Sequence, residues 1–264
     1  MQRLNVSEPY ADFQRNYSFA ERGFNDDKWA RTSLPHDCLF NQSFDKNAGD
    51  GAAFLPRTVV WYRKHFALPE SLRGQHIEVY LQGAFQYAEI YVNGVHVLDH
   101  SVGYTTFTAR LDNVSSLVYQ SEGGAAAVNV IAVRVDPTFG SGHWYEGGGI
   151  NRPLSLVVSP LGPRFVQNGV FANPNSDGTS LRVSAEIEDL STESGGADQD
   201  SVPPPEVNFT LRDESGSVVA RASAGTGTGT GSGPGPGPGP GHDPATAPPS
   251  PRVVRAVLTP GSKL

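Results

Sequence analysis

His36 and Asp37 are adjacent and carry the side chains of a general acid–base pair. Neighbouring residues of an extended strand point to opposite sides, so these two side chains would not converge on one reacting atom. We therefore predict that both make structural hydrogen bonds. The seven histidines form no tight cluster in sequence, and the single cysteine, Cys38, excludes an internal disulfide. We expect no metal site and no cofactor.

The segment from Trp144 to Arg152 combines aromatic side chains with a glycine run. Trp144 and Tyr145 either offer a face on which a sugar ring stacks or cap the protein core, and the cap is our preferred interpretation. The run Gly147–Gly149 permits positive φ angles and close approach of the backbone. We expect Arg152 to pair with a carboxylate or with backbone carbonyl groups and so to hold this loop.

The composition is that of an acidic globular protein of 264 residues with a net charge of −7 and a pI near 5.5. This charge argues against nucleic acid as a partner, because a phosphate-binding surface is basic. Lysines and arginines occur singly, and no apolar run reaches the roughly 18 residues of a spanning helix, so we expect no membrane partner. Residues 1–15 are polar and predict no secretory signal, which leaves the cytoplasm as the default location. The final Ser-Lys-Leu matches a peroxisomal address, which we interpret as a coincidence.

Apolar residues recur mostly with period two, which predicts strands. The run Val59–Phe66 is aromatic and β-branched, and His76–Leu81 places Ile77, Val79 and Leu81 on one face. Asn93-Gly94 between two such runs predicts a hairpin with a type I′ turn. Short strands at near-regular spacing, without a long amphipathic helix, favour an antiparallel β-sandwich over residues 1–162.

A second unit is predicted for residues 163–264, with strands near 165–171, 180–187, 206–212 and 217–221. Three or four strands are too few for a closed sandwich of about seven. Residues 225–241 alternate Gly with Thr, Ser or Pro and cannot bury apolar area. We therefore predict a disordered insert over about 222–251 in a surface loop, followed by a returning strand from Arg252.

Five segments in order resemble the sugar-binding domain of glycoside hydrolase family 2, the β-galactosidase/β-glucuronidase family. They cover roughly residues 15 to 160. The segments are Phe24–Trp29 with Leu34-Pro-His-Asp37, Trp61-Tyr-Arg-Lys-His-Phe66, Gly83–Phe107 with its Tyr87-Ala-Glu-Ile-Tyr-Val-Asn-Gly94, Asn129–Asp136, and Trp144–Arg152. After Pro163, Asn168-Gly-Val-Phe171 resembles the opening of the family's immunoglobulin-like second domain.

This resemblance implies an all-β chain: a jelly-roll, galactose-binding-like β-sandwich followed by a partial immunoglobulin-like β-sandwich. In the family a (β/α)₈ barrel follows and carries two catalytic glutamates. We expect this chain to end before that barrel, so no catalytic residue is carried over. The resemblance places a sugar contact nine residues before the conserved Arg152, at His143, where relatives have Asp or Arg. The substrate-binding candidates are therefore His143 and Trp144.

The function implied is that of a non-catalytic N-terminal region of a glycosidase acting on terminal β-linked sugars. Its partners would be a β-galactoside or β-glucuronide, the catalytic barrel of the parent enzyme, and other subunits of a homo-oligomeric parent. A stand-alone carbohydrate-binding module is one alternative, which two or three exposed aromatics on a concave face would support. An inactive truncated gene product is the other.

Overall fold

The computed structural model describes residues 4–6, 17–121, 123–124, 127–138, 144–189, 206–225 and 252–258. The chain divides into two compact units, Met1–Pro160 and Leu161–Leu264. Almost all of the regular structure is strand, and the helical pieces are single 3₁₀ turns at Tyr17–Ala20, Asp50–Ala52 and Glu70–Leu72. Within the described residues, no helix has the length and apolar character needed to cross a bilayer.

The first unit consists of two antiparallel sheets. In its described part the strands are β1 (Leu4–Val6), β2 (Ala30–Thr32), β3 (Val60–Ala67), β4 (His76–Leu81), β5 (Tyr87–Val92), β6 (Val95–His100), β7 (Phe107–Arg110), β8 (Val128–Asp136) and β9 (Leu154–Ser159). One sheet has the order β2-β1-β3-β8-β5-β6 and the other has the order β7-β4-β9. The predicted all-β sandwich is confirmed.

The main core lies between these two sheets. Strand β4 contributes Ile77, Val79 and Leu81, the three residues that the alternation placed on one face, and all three are buried. From the larger sheet, Val133 and Val135 on β8 join the same cluster. The period-two pattern therefore identified the inward face of the smaller sheet correctly, because alternate side chains of a strand point to opposite faces.

The predicted hairpin between β5 and β6 is confirmed. Asn93 and Gly94 have φ angles of 51° and 89°, the positive values that a type I′ turn needs. Asn93 also bonds to the neighbouring strand: its Oδ1 accepts from the Val130 amide at 2.8 Å, and its Nδ2 donates to Asn129 Oδ1 at 2.9 Å. The turn is thus fixed to β8 as well as to its own hairpin.

The outer face of the six-stranded sheet carries a buried arginine. The Nε of Arg63 on β3 donates to Asp26 Oδ2 at 2.9 Å, and the side chain of Arg63 is fully buried. The other guanidinium nitrogens donate to the backbone carbonyls of Phe19, Glu21 and Phe24. One side chain therefore fixes the backbone of residues 19–26 against the sheet.

The Asp26 carboxylate neutralises the positive charge of Arg63 and is itself buried. Burial raises the pKa of Asp26, but hydrogen bonds from Arg63 and His65 outweigh this and hold the pKa below its ordinary value. A carboxyl group with a lowered folded-state pKa stabilises the fold above its ordinary pKa, and that stabilisation is lost as the pH falls through the lowered value.

The segment of residues 19–26 also buries Phe19 against Trp61. The two rings meet edge to face, with 5.8 Å between their centroids.

The second unit contains two small sheets in its described part. Its strands are β10 (Pro163–Pro174), β11 (Leu181–Asp189), β12 (Glu206–Arg212), β13 (Val218–Gly225) and β14 (Arg252–Leu258). Strands β10-β11-β14 form one sheet and β12-β13 the other. A small core of Ala185, Ile187 and Val207 is buried in this unit.

Strand β13 of the second unit runs further than the sequence predicts, and the predicted returning strand is present. Residues 222–225, predicted as the start of the insert, continue strand β13. The rest of that insert, 226–251, lies outside the described residues. The returning strand predicted from Arg252 is present as β14 and pairs with β11. The domain limits at 162 and 163 and the immunoglobulin-like assignment of this unit stay predictions.

Replacing the buried arginine should destabilise the first unit strongly. For Arg63→Met we expect the free energy of unfolding to fall by about 3–5 kcal/mol, because the Asp26 carboxylate stays buried without its cation. Urea unfolding followed by tryptophan fluorescence measures this loss. Adding Asp26→Asn should recover part of it. The control is Arg73→Met, whose exposed guanidinium pairs with Glu70 and should leave the midpoint nearly unchanged. Equal effects of Arg63→Met and the control would contradict the proposed role.

Candidate functional site

Two of the sequence motifs meet at one edge of the first unit. The His36 amide donates to the Ile150 carbonyl at 2.8 Å, and the Cys38 amide donates to the Gly148 carbonyl at 2.9 Å. The loop of residues 34–38 is therefore paired by its backbone with the loop of residues 146–150. His36 and Asp37 belong to the first of these loops, and the segment Trp144–Arg152 contains the second.

His36 and Asp37 make separate structural hydrogen bonds, as predicted. His36 Nδ1 lies 2.9 Å from the Tyr62 hydroxyl, and burial lowers the pKa of His36. Asp37 Oδ1 accepts from the Leu39 amide at 2.9 Å, and its Oδ2 accepts from the Tyr145 hydroxyl at 2.6 Å. The two side chains thus hold different neighbours and do not form an acid–base pair on one atom.

The glycine run is explained by close packing of these loops. Gly147 and Gly149 have φ angles of 76° and 97°, which side-chain-bearing residues rarely adopt. A Cβ on Gly149 would overlap the Tyr62 hydroxyl, and one on Gly147 would lie 2.7 Å from Asp37 Oδ2. Gly149 also exchanges two backbone hydrogen bonds with Phe85, at 2.8 and 2.9 Å. The loop therefore has no room for side chains at these positions.

Arg152 holds the far end of this loop. Its Nη1 donates to the carbonyl of Tyr104 at 3.3 Å, as expected for an arginine that pairs with backbone. The Tyr104 ring in turn lies 5.2 Å from that of Phe85, centroid to centroid. A Cβ on Gly103 would overlap the Phe85 ring, so this glycine allows the close approach of the two segments.

Two further motifs form a charged cluster on the six-stranded sheet. Arg134 donates to Glu89 Oε1 at 2.7 Å and to Asp136 Oδ2 at 3.0 Å, and the Tyr91 hydroxyl donates to Glu89 Oε2 at 2.6 Å. Arg134 and Glu89 are both buried. This Glu89–Arg134 pair joins β5 to β8, so the third and fourth motifs are bound to each other by their polar residues.

Burial favours the neutral forms of one thiol and two phenols at the paired loops. Burial raises the pKa of the Cys38 thiol to about 12 and raises that of the Tyr62 hydroxyl well above its ordinary value. Burial, together with the hydrogen bond to Asp37, also raises the pKa of Tyr145. A thiol or phenol with a raised pKa is a poor nucleophile near neutral pH. These residues therefore hold the loops together and do not supply a reactive anion.

No group of three or more His, Cys, Asp or Glu side chains is placed to bind a metal ion in the part of the chain that the structure describes. His96 and His100 make separate hydrogen bonds, to Asp99 at 2.7 Å and to Thr105 at 2.9 Å. These two histidines therefore have different partners.

Five aromatic side chains within residues 40–54 and 144–145 are exposed. They are Phe40, Phe44, Phe54, Trp144 and Tyr145, with exposed fractions of 76%, 77%, 47%, 68% and 38%. The predicted cap is therefore wrong for Trp144, because a ring that is two-thirds exposed does not cover a core. His143 lies outside the described residues.

Sequence reasoning missed the exposure of Phe40, Phe44 and Phe54. A signal was present: Phe40 and Phe44 lie in the polar run Phe-Asn-Gln-Ser-Phe-Asp-Lys-Asn, where a buried strand would alternate apolar and polar residues. Isolated aromatics in such a run are candidates for an exposed surface.

Comparison with known proteins gives matches to glycosidases. The chain is 31% identical over 167 residues to a β-galactosidase of Bacteroides ovatus, covering 59% of this chain and 18% of that enzyme. It is 28% identical over 189 residues to a β-glucuronidase of Formosa agariphila, covering 64% of this chain and 18% of that enzyme. The chain thus spans about a fifth of the length of these curated relatives. No protein-family model matches it.

Solved structures share the fold of this chain, and in them the matching region is part of a longer glycosidase chain. A glycosyl hydrolase family 2 member from Bacteroides cellulosilyticus superposes with a TM-score of 0.71 at 21% identity, covering 100% of this chain and 30% of that one. A β-glycosidase from Bacteroides vulgatus gives 0.69 at 20% identity, covering 98% and 28%. The homologues and structural neighbours of this chain are members of glycoside hydrolase family 2. The family resemblance predicted from the five motifs is confirmed.

The paired loops should not tolerate a side chain at Gly149. We expect Gly149→Ala to lower the melting temperature of the first unit by several degrees, about 5 °C or more, since the new Cβ collides with Tyr62 at a positive φ. Differential scanning calorimetry measures the shift. Gly23→Ala is the matched control, because a Cβ there meets nothing within 4 Å. Equal melting temperatures of the two variants would show that the loop rearranges freely.

Proposed function

We propose that this chain is the non-catalytic N-terminal region of a glycoside hydrolase that cleaves terminal β-linked sugars. One observation carries the proposal: the 31% identity to a β-galactosidase covers only 18% of that enzyme. The acidic and histidine side chains of the motifs also have structural partners. His36, Asp37, Glu89 and Asp26 each bond to a neighbouring strand or loop. Hydrolysis by this family's mechanism needs two carboxyl groups about 5 Å apart on a rigid scaffold, which the parent's barrel would supply.

Within the parent enzyme the first unit would act as a wall of the substrate cleft. Rigid loops suit that task, since a contact from a neighbouring domain contributes only if its position is fixed before the sugar arrives. The paired loops meet this requirement, because two backbone hydrogen bonds and the Asp37–Tyr145 bond at 2.6 Å hold them. Contacts between subunits of the parent are a further proposed role.

The proposed sugar contacts are His143 and Trp144. Trp144 directly precedes Tyr145, whose hydroxyl is anchored on Asp37, and its ring is 68% exposed. An exposed ring beside an anchored residue can stack on the C–H face of a sugar, since the negative face of an aromatic system attracts weakly positive C–H groups. His143, the preceding residue, would donate or accept one hydrogen bond to a hydroxyl.

A β-galactoside is the proposed substrate, with a β-glucuronide as the second candidate. Both kinds of enzyme occur among the relatives, and the β-galactosidase of Bacteroides ovatus is the more similar of the two described above. A uronic acid would need a cation beside the sugar. Among the described residues of the loop at 33–57, Lys46 is the exposed basic side chain, against three aspartates.

A chimeric enzyme tests this proposal. The 167-residue region of the Bacteroides ovatus β-galactosidase that aligns with this chain is replaced by this chain's matching segment. We expect kcat/KM on p-nitrophenyl β-galactoside within about tenfold of the parent, a change of about 1.4 kcal/mol. The isolated chain should not hydrolyse the substrate. A soluble, folded chimera no more active than the parent enzyme lacking the region would contradict the proposal.

The same chimera tests the contact at His143. His143→Ala should raise KM and lower kcat/KM by about 1–3 kcal/mol, the cost of one lost sugar hydrogen bond in a desolvated site. The melting temperature should stay unchanged. His96→Ala is the control, since His96 is exposed and pairs with Asp99. Kinetics equal to those of the control would mean that position 143 makes no contact with the sugar.

A further inference from the structure

The register of the strands defines the outer face of the β10-β11-β14 sheet. Alternate residues of β11 are buried and point inward: Val183, Ala185 and Ile187. The residues between and beside them therefore point outward: Arg182, Ser184, Glu186 and Glu188. Arg164 Nε on β10 donates to Glu188 Oε1 at 2.6 Å, and the two residues are paired in the ladder. Paired residues of neighbouring strands thus share this face.

Ser184 lies at the bottom of a groove on the outer face. It pairs with Phe171 of β10 on one side and with Arg255 of β14 on the other. The Cα atoms of Phe171 and Arg255 are therefore about 10 Å apart, twice the spacing between strands. Phe171 is 49% exposed, and Arg255 is also exposed. A short hydroxyl side chain between two long ones leaves a groove with one aromatic wall and one cationic wall.

The two ends of this groove carry opposite charges. Arg182 and Glu186 lie on either side of Ser184, each two residues away along β11. Arg182 is exposed and pairs with the exposed Asn173 of β10, whereas Glu186 is half-buried. Neither Arg182 nor Arg255 forms an ion pair with an acidic side chain that the structure describes. Two guanidinium groups at one end of the groove are therefore available to an anion.

The chemistry of these groups matches a uronic acid. Guanidinium groups bind carboxylates through paired, charge-assisted hydrogen bonds, and an aromatic ring such as Phe171 stacks on the C–H face of a sugar. Glu186 can accept from a sugar hydroxyl, but it repels phosphate and sulfate groups. The centres of protein–protein interfaces are depleted of charged side chains, whereas this groove carries three, Arg182, Glu186 and Arg255.

We propose that this groove binds one uronic acid unit of an oligosaccharide, with its carboxylate on Arg182 and Arg255 and its ring against Phe171. The site lies on the second unit and takes a carboxylate-bearing sugar, so it goes beyond the proposed function, which concerns the terminal sugar. The choice of a sugar chain as the ligand rests on that function. The parent enzyme would then hold polysaccharides that combine a neutral terminal sugar with uronic acids further along the chain.

Isothermal titration calorimetry on the full chain tests the site. The probes are a hyaluronan hexasaccharide and the same hexasaccharide with its carboxyl groups methyl-esterified, each up to about 20 mM because weak sites have Kd values near 1 mM. We expect the hexasaccharide to bind and its ester to bind at least tenfold more weakly, since the ester cannot form charge-assisted bonds with arginine. Raising NaCl from about 50 mM to about 500 mM should weaken binding of the hexasaccharide several-fold, because salt screens exposed charges.

Variants of the groove separate its two walls. The double variant Arg182→Gln/Arg255→Gln should weaken hexasaccharide binding at least tenfold, and Phe171→Ala should weaken it several-fold. Arg221→Gln is the matched control, since Arg221 is an exposed arginine of the same unit on strand β13 of the other sheet. It should bind like the unaltered chain, and thermal melts should show that all variants are folded.

Three results would overturn the proposal: no binding of the hexasaccharide, binding that survives the double variant, and binding of the ester as tight as that of the acid. Hexaglutamate is a further probe. If it binds as tightly as the hexasaccharide and Phe171→Ala weakens neither, the groove takes acidic polypeptides and the assignment to sugars is wrong. An active chimera together with failed binding would reject this site alone, whereas binding together with an inactive chimera would reject the proposed function alone.

Discussion

The pairing of Arg63 with Asp26 is the constraint on which the first unit depends. A guanidinium that is completely buried is costly unless each of its donors has an acceptor, and here the acceptors are one carboxylate and three backbone carbonyls. These acceptors come from residues 19–26, so the charge can be buried only when that segment lies across the sheet. The segment then covers Trp61, so residues 60–63 of β3 are buried on both faces. An apolar side chain at position 63 would fill the space without specifying which backbone must lie there.

The same logic explains why the motifs of this chain contain charged residues that bond to one another. Asp26 of the first motif holds Arg63 of the second, and Glu89 of the third holds Arg134 of the fourth. Asp37 accepts from Tyr145 of the fifth. Each motif supplies the partner that another motif needs. A family signature of this kind consists of residues whose side chains bond to one another and stabilise the sandwich. Its carboxylates would mislead a search for catalytic pairs.

The sequence predicted the sandwich because strand alternation and an Asn-Gly turn are local properties, visible in Ile77, Val79, Leu81 and Asn93. The structural roles of His36 and Asp37 also followed, since adjacent residues of an extended segment diverge. The features that the sequence did not predict depend on contacts between residues that are far apart in the chain. Nothing near Arg63 indicates that its acceptors lie about forty residues earlier, and nothing near Asp37 indicates that the Tyr145 hydroxyl donates to it. The prediction that Trp144 covers the core was wrong. An aromatic residue beside glycines is equally compatible with covering the core and with stacking on a sugar.

The pairing of the loops at 36–38 and 146–150 has a consequence for synthesis of the protein. Their hydrogen bonds join residues more than one hundred positions apart, as from His36 to Ile150. A growing chain adds about 5–20 residues each second, so the earlier loop leaves the ribosome several seconds before its partner exists. During that interval strand β3 also waits for β8, and apolar residues such as Trp61 lack their final covering. The segment that completes the paired loops is thus among the last parts of the first unit to be made, and a ribosome that pauses before residue 150 would leave the earlier loop open to chaperones.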